Sequence, residues 1–205
     1  MRDDIKLVSF DMSGTLVLGS GSNSGAKLVG RGDFYDKNKS LYQDGSITMQ
    51  EFLTGTFAEW EGLSISKLPE IIESFTFREN AEETVKAVKK KGYKTAFLTN
   101  VPIQLSMLLK EMFEFDFVAG TNLEVIDNKF TGKILEYAGD KVASLGKILN
   151  TAGLDYKDVV HIGDRRDDAE VFEKVSFGIA ISDDDYVNSV ADYQIEKIEE
   201  VLEIL

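Results

Sequence analysis

The sequence predicts an α/β protein: a doubly wound parallel sheet with a small helical unit inserted after its first strand. Three observations lead there. Short apolar runs alternate with amphipathic helical patterns along most of the chain. Several of these runs stop abruptly at a polar turn, as strands buried on both faces do. Residues 18–77 break the rhythm, leaving after the first strand and returning before the second. Repeated strand–helix units of this length require right-handed crossovers. The division is a core of residues 1–17 and 78–205 and a helical insert of residues 18–77, placed as a lid over the strand ends.

The first strand is the apolar run 7–10, which ends at Asp11-Met12-Ser13-Gly14-Thr15. Residues 19–25 hold three glycines and three serines, the composition of a flexible exit from the sheet. Two helical patterns follow: Met49, Phe52, Leu53, Phe57 and Trp60, then Leu68, Ile71, Ile72 and Phe75. Phe52, Phe57 and Trp60 share a stripe that reads as the core of the insert. Ala81, Val85 and Val88 mark a helix stopped by Gly92, and a strand over 93–98 ends at Thr99-Asn100. Leu105, Leu108, Leu109 and Met112 define the next helix, followed by a strand over 115–119 and a hairpin at Asp127-Asn128. Val142, Leu145 and Leu149 mark a helix closed by Gly153; the strand over 158–162 runs into Gly163-Asp164. A strand over 176–181 and a helix carrying Ile198, Val201, Leu202 and Leu205 complete the chain. The acidic run 183–185 reads as a solvated helix start.

The 205 residues suffice to enclose a core without disulfide or metal staples. A net charge of −13 repels phosphate backbones and anionic lipid, so a general nucleic-acid or membrane-surface role is disfavoured. An anionic substrate must find its positive charge locally. The absence of cysteine excludes a thiolate nucleophile or zinc–thiolate site. No leader-like apolar segment follows the charged N-terminus, and no run of ~18 apolar residues could span a bilayer. The expectation is a soluble cytoplasmic protein; the sequence sets no oligomeric state.

In an open parallel sheet, ligands bind beyond the carboxyl ends of the strands. Asp11, Thr99 and Asp164 each follow a predicted strand, so all three should line one edge, with Lys141, Asp167 and Asp168 within reach. Magnesium is a hard cation held by one or two protein carboxylates together with substrate phosphate oxygens, and Asp11 and Asp164 can supply these. A carboxylate is also a competent nucleophile toward phosphorus. Thr99 and Lys141 would hydrogen-bond and neutralise the transferring group. The set describes a magnesium-dependent phosphoryl-transfer site. His161, the single histidine, lies inside a strand whose alternation turns it from the edge, and it reads as a packed structural residue.

These motifs resemble those of the haloacid dehalogenase (HAD) superfamily. Asp11-Met12-Ser13-Gly14-Thr15 is similar to its first motif, Thr99-Asn100 to its second, Lys141 to its third, and residues 163–168 to its fourth. The likeness covers nearly the whole chain and points to the phosphoserine phosphatase-like subfamily, through residues 79–84, 130–132 and the interval from Lys141 to Asp164. The resemblance implies a Rossmann-like core with a cap, and an aspartyl-phosphate formed on Asp11. It implies Mg²⁺ held by Asp11, the backbone carbonyl of Ser13 and Asp164, with Asp168, joined by Asp167, supporting that shell. Thr99, Asn100 and Lys141 would bind the substrate, a small phosphorylated metabolite.

Two departures alter the expectation. The family usually carries a second aspartate two residues after the nucleophile, which protonates the leaving oxygen and then activates water; here Ser13 stands there. Losing a general acid–base group typically costs ~10²- to 10⁴-fold in rate, so phosphotransfer or a slow acyl-phosphate cycle is an alternative to rapid hydrolysis. A catalytically silent phosphate-sensing or protein-binding module is another. The positions that hold the amino-acid moiety in phosphoserine phosphatases correspond to Ser20 and Thr56. Neither pairs with a zwitterion, which predicts a different specificity, with Thr56 as a pocket-lining residue.

Overall fold

The computed structural model describes residues 4–19 and 21–205. In chain order its elements begin with β1 (Leu7–Phe10), β2 (Val17–Leu18), α1 (Gly21–Leu28), α2 (Asp33–Gln43), α3 (Met49–Ala58), a 3₁₀ turn (Ile65–Lys67), α4 (Leu68–Glu73) and β3 (Thr76–Phe77). Next come α5 (Ala81–Lys90), β4 (Lys94–Pro102), α6 (Ile103–Phe113), β5 (Phe117–Ile126), β6 (Lys129–Glu136), α7 (Lys141–Ala152) and β7 (Val159–Gly163). Then follow α8 (Arg166–Phe172), β8 (Phe177–Ala180), α9 (Asp185–Val190), β9 (Tyr193–Gln194), a 3₁₀ turn (Ile198–Glu200) and α10 (Val201–Ile204).

The main sheet has seven strands in the order β6-β5-β4-β1-β7-β8-β9, parallel throughout except for the β5–β6 pair. β1 lies between β4 and β7, so the chain turns back on itself there and the carboxyl ends of all three strands sit side by side. Strand alternation sorts the core into two faces. Val8 and Phe10 pack with Phe97, Val160 and Ile162 beneath Val85 and Val88 of α5. Leu7, Ala96, Leu98 and Val159 face Leu145 and Leu149 of α7 and Val171 of α8. Each fully buried Val, Leu or Phe contributes about 1.5–3 kcal/mol.

Between β2 and β3 the fold differs from the sequence expectation. The Gly/Ser-rich stretch is not a flexible exit: most of it forms α1, and α2 is a further helix that the apolar pattern did not reveal. Small residues are what α1 needs, because a Cβ on Gly25 would come within 2.3 Å of the Trp60 ring. The indole Nε1–H donates to the Ser22 carbonyl oxygen at 3.0 Å, tying α1 to the end of α3. Phe52, Phe57 and Trp60 form a core with Ile71 and with Leu105, Leu123 and Phe130 of α6 and the β5–β6 hairpin. Trp60 meets Phe130 edge-on at 5.3 Å.

The hairpin turns at Asp127 and Asn128, both with positive φ (49° and 61°), the signature of a two-residue type I′ turn. β4 runs on to Pro102 rather than stopping at residue 98, with a register irregularity between Leu98 and Pro102, so Thr99 lies within the strand assignment. β5 likewise continues unbroken into the hairpin. The last helical pattern divides into a 3₁₀ turn and α10. Asp184 caps α9, its carboxylate accepting from the Tyr186 N–H at 2.8 Å. Among the described residues, no helix is long and apolar enough to cross a membrane.

Candidate functional site

The site grows from the turn after β1. Asp11 is held by its N–H, which donates to the Ile162 carbonyl oxygen of β7 at 2.9 Å. The following turn is closed by the Gly14 N–H on the Val17 carbonyl oxygen at 2.7 Å. Gly14 has φ +99°, and a Cβ there would overlap the Asp164 carboxylate at 1.9 Å. This position therefore requires glycine twice over, for its dihedral and for the approach of Asp164. Arg78, where the chain returns from β3, clamps the turn: Nε donates to the Thr15 carbonyl oxygen at 2.8 Å and Nη2 to that of Gly14 at 2.5 Å.

Lys141 opens α7 and reaches into the same space. Its Nζ lies 2.8 Å from Asp11 Oδ1, 2.5 Å from Asp168 Oδ1 and 3.2 Å from Asp167 Oδ2. The Lys141, Asp11 and Asp168 side chains are almost wholly buried, at 2%, 5% and 0% exposure. An unpaired charge at such depth would be untenable, so the ammonium and carboxylates hold one another in place. Asn100 joins the cluster, its Nδ2 donating to Asp167 Oδ2 at 3.1 Å. Thr99 is buried, and its hydroxyl accepts the Val101 N–H at 3.3 Å. Thr15 Oγ1 donates to Asp164 Oδ1 at 3.4 Å.

Asp168 has its acceptor positions filled. Oδ1 accepts from Lys141 Nζ and from His161 Nε2, at 2.5 and 3.0 Å, while Oδ2 accepts the backbone N–H groups of Asp164 and Arg165, both at 3.1 Å. Asp11 contrasts with it: Oδ1 meets Lys141, whereas Oδ2 is buried with no hydrogen-bond partner. Oxygen atoms of Asp11, Asp164 and Asp168 lie within 4.8 Å of one another, a hard-oxygen set that suits a divalent cation. The orphaned Asp11 oxygen fits that use, since a buried carboxylate oxygen without a donor calls for a positive partner.

The field of the site follows from burial and crowding. Burial pushes the Asp11 carboxyl up, Lys141 opposes it, and Asp168 and Asp167 push it further. Asp164 is pushed up to about 8, by burial first and by the Asp11 charge second. Asp168 goes the other way: burial is outweighed by Lys141 and by the His161 hydrogen bond, and its carboxyl is held below the usual range. Burial pulls the Lys141 ammonium down, but Asp11, Asp167 and Asp168 together hold it well above its ordinary value.

Of the residues expected from sequence, Asp11, Asn100, Lys141, Asp164, Asp167 and Asp168 are linked by hydrogen bonds, ion pairs or carboxylate proximity, and Thr99 is buried in the strand neighbouring Asp11. Ser13 lies on the same turn, bridged to Val17. Thr56 differs: it is wholly buried in α3 and its hydroxyl donates to the Phe52 carbonyl oxygen at 2.8 Å, which gives it no free donor for a substrate. Ser20 lies outside the described residues. Sequence reading missed Arg165, whose Nε is 3.6 Å from Asp164 Oδ2, and the contact of His161 with Asp168. A large groove of about 460 Å³ lies elsewhere, along β5 between α6 and α7.

The family model for haloacid dehalogenase-like hydrolases matches residues 5–175. A phosphoserine phosphatase of Archaeoglobus fulgidus is 30% identical over 94% of this chain, which spans 57% of that protein. One from Methanocaldococcus jannaschii is 28% identical over 96% of this chain and 95% of its own length. A solved structure described as a phospho-aspartyl intermediate analogue of phosphoserine phosphatase superposes with a TM-score of 0.83 at 28% identity, covering 98% of this chain and 99% of the other.

Proposed function

We propose a specific chemistry from one premise: the chain belongs to the haloacid dehalogenase-like hydrolase family, as a phosphatase similar to the phosphoserine phosphatases. It hydrolyses a small phosphorylated metabolite through an aspartyl-phosphate on Asp11. The observation that carries this reading is Asp11 itself. One of its oxygens is fixed by Lys141 and the other, Oδ2, is unpartnered at the carboxyl ends of parallel strands.

In the first step a carboxylate oxygen of Asp11 bonds to phosphorus as the bond to the substrate's leaving oxygen breaks, and that oxygen takes up a proton from solvent. In the second, water attacks phosphorus and gives up a proton to solvent, releasing inorganic phosphate and restoring the carboxylate. Thr99, Asn100 and Lys141 hold the phosphoryl oxygens, and the ammonium offsets their charge. Asp11, the Ser13 carbonyl and Asp164 would hold Mg²⁺, with Asp168 supporting from behind. When bound, the ion supplies the remaining positive charge. Residues 18–77 act as the cap over the strand ends, and the protein works in the cytoplasm. Specificity departs from phosphoserine, and Arg165 beside Asp164 is placed to meet an anionic portion of the substrate.

The test is hydrolysis of a generic aryl phosphate with Mg²⁺, then a panel of phosphorylated metabolites including carboxylated esters. Metal-dependent turnover is expected; tight phosphate binding without hydrolysis would favour the sensing module. Ser13 supports a second reading, a slow acyl-phosphate cycle or phosphotransfer, because a hydroxyl is a poor acid or base near neutral pH. Ser13→Asp is expected to speed breakdown of the phosphorylated enzyme by about 10²-fold or more. Single-turnover quench measures this, and an unchanged rate would remove Ser13 as the limiting group.

The raised Asp164 carboxyl also sets a pH dependence. Its folded-state value lies above the unfolded one, so without metal its contribution to stability is full below ~4 and is lost as pH rises through about 8. Cation binding must displace that proton. Mg²⁺ should therefore raise Tm more at pH 8 than at pH 5 and release protons on binding at pH 7. Calorimetry in two buffers of different ionisation enthalpy detects the release, and identical heats in both would contradict it.

A further inference from the structure

His161 is the chain's single histidine, and neither it nor Ser9 belongs to the motifs that define the site. The two residues are register partners on β1 and β7, so alternation places both on the sheet face beneath α7 and α8. Both are completely buried. The ring lies against Phe172, with centroids 5.7 Å apart. Ser9 Oγ is 2.8 Å from Nδ1, and on the other side Nε2 is 3.0 Å from Asp168 Oδ1. The same Asp168 oxygen meets Lys141 Nζ, which in turn reaches Asp11 Oδ1. A continuous chain of contacts thus runs Ser9–His161–Asp168–Lys141–Asp11.

The chemistry of each atom fixes its role. Asp168 as a carboxylate only accepts, so Nε2 must carry a proton and donate. The Ser9 hydroxyl has one proton and two candidate acceptors, the Val160 carbonyl oxygen at 3.5 Å and Nδ1 at 2.8 Å; the shorter contact takes it. With Nδ1 accepting, the ring is the neutral Nε2–H tautomer, since the hydrogen bond to one nitrogen decides the state of the other.

We propose that Ser9 and His161 are positioning residues: Ser9 sets the histidine tautomer, and His161 supplies the donor that pins Asp168 so that it holds Lys141 against Asp11. The proposal rests on the reading that Asp11 and Lys141 perform the phosphoryl chemistry. Without the His161 donor, Oδ1 keeps only the Lys141 ammonium, and the carboxylate is fixed through Oδ2 alone, by the backbone N–H groups of Asp164 and Arg165. The Lys141 charge counts most as the phosphoryl group transfers, so misplacing it should lower turnover more than it weakens substrate binding.

Two experiments test this. With a single histidine, protein grown with ¹⁵N-labelled histidine gives one ring to read. Wild type should show a protonated Nε2 and an unprotonated, hydrogen-bonded Nδ1, and Ser9→Ala should move the Nδ1 resonance. An Nδ1–H tautomer, a doubly protonated ring at neutral pH, or an unmoved resonance in Ser9→Ala overturns the pairing. For turnover, His161→Leu should lower kcat by about 10- to 100-fold, the usual effect of losing the partner that orients a site ligand, with KM little changed. His161→Gln, whose amide can still donate, should recover most of the loss. Wild-type kcat in His161→Leu, or equal damage in both variants, overturns the role. The ring spectrum needs no substrate, so it separates failure of this proposal from failure of the phosphatase reading, which Asp11→Asn addresses. If His161→Leu does not fold, His161→Gln and Ser9→Ala still decide.

Discussion

Asp11→Asn is expected to lower phosphatase turnover by about 10⁴-fold or more while leaving the fold intact. The amide has the shape of the carboxylate but cannot form the acyl phosphate, so the covalent route is lost rather than weakened. The fold should survive because Lys141 retains Asp167 and Asp168 as partners. The charged Asp11 carboxylate is also disfavoured where it sits, since burial raises its pKa. A group raised in this way contributes stability at low pH and loses it as pH climbs through its folded value. Replacing it by a neutral amide should therefore leave Tm at pH 7 unchanged or higher. Steady-state kinetics and a thermal melt check both halves, with intact-protein mass spectrometry of quenched wild type looking for the phosphoryl adduct. Retained activity would show that Asp11 is not the nucleophile.

Lys141→Met should be costly in both stability and rate. Removing one partner from a buried ionic cluster typically costs ~3–5 kcal/mol, because the remaining charges stay buried without compensation. Here Asp11, Asp167 and Asp168 would face one another with no cation among them. The loss of charge stabilisation at the transferring group adds a rate defect of about 10²–10³-fold. The sign with pH follows from the raised ammonium: its contribution is present at every pH below its ordinary value and fades only as the medium becomes strongly alkaline. At neutral pH the wild-type contribution is thus constant. The mutant, by contrast, should recover at pH 5, where the crowded carboxyls can take up protons. Urea titrations at pH 7 and pH 5 measure this; equal destabilisation at both would show that the ammonium does not compensate those charges.

Much of the core was legible because its signals are local. An apolar run that ends in Asp, or in Gly-Asp, marks both a buried strand and the group it delivers, which is why Asp11 and Asp164 could be named. Asp127-Asn128 could be read as a turn for the same reason: few residue pairs tolerate positive φ at both positions. α1 was hidden because its small residues fit against Trp60, a contact far away in sequence. α2 buries little beyond Tyr35 and Asn38, so no apolar stripe betrays it. Thr99 was placed correctly in sequence, but the backbone stays extended beyond it despite the polar Asn100. His161 was read as packed and is packed, yet alternation along one strand could not show that α8 brings Asp168 back beneath it. Thr56 lies on α3 as counted, and its register there sends the hydroxyl to a carbonyl oxygen of its own helix, which sequence position alone could not show.

The Arg78 clamp has a mechanical consequence. The two crossings between the sheet and residues 21–73 are joined as an antiparallel pair, Val17 opposite Phe77 and Leu18 opposite Thr76, and Arg78 fastens that pair to the carbonyl groups of Gly14 and Thr15. The two crossings are thereby tied to each other and to the turn that follows Asp11. A displacement of the helical segment would therefore be carried through this pair into the turn at Gly14 and Thr15 instead of being absorbed by two separate strands.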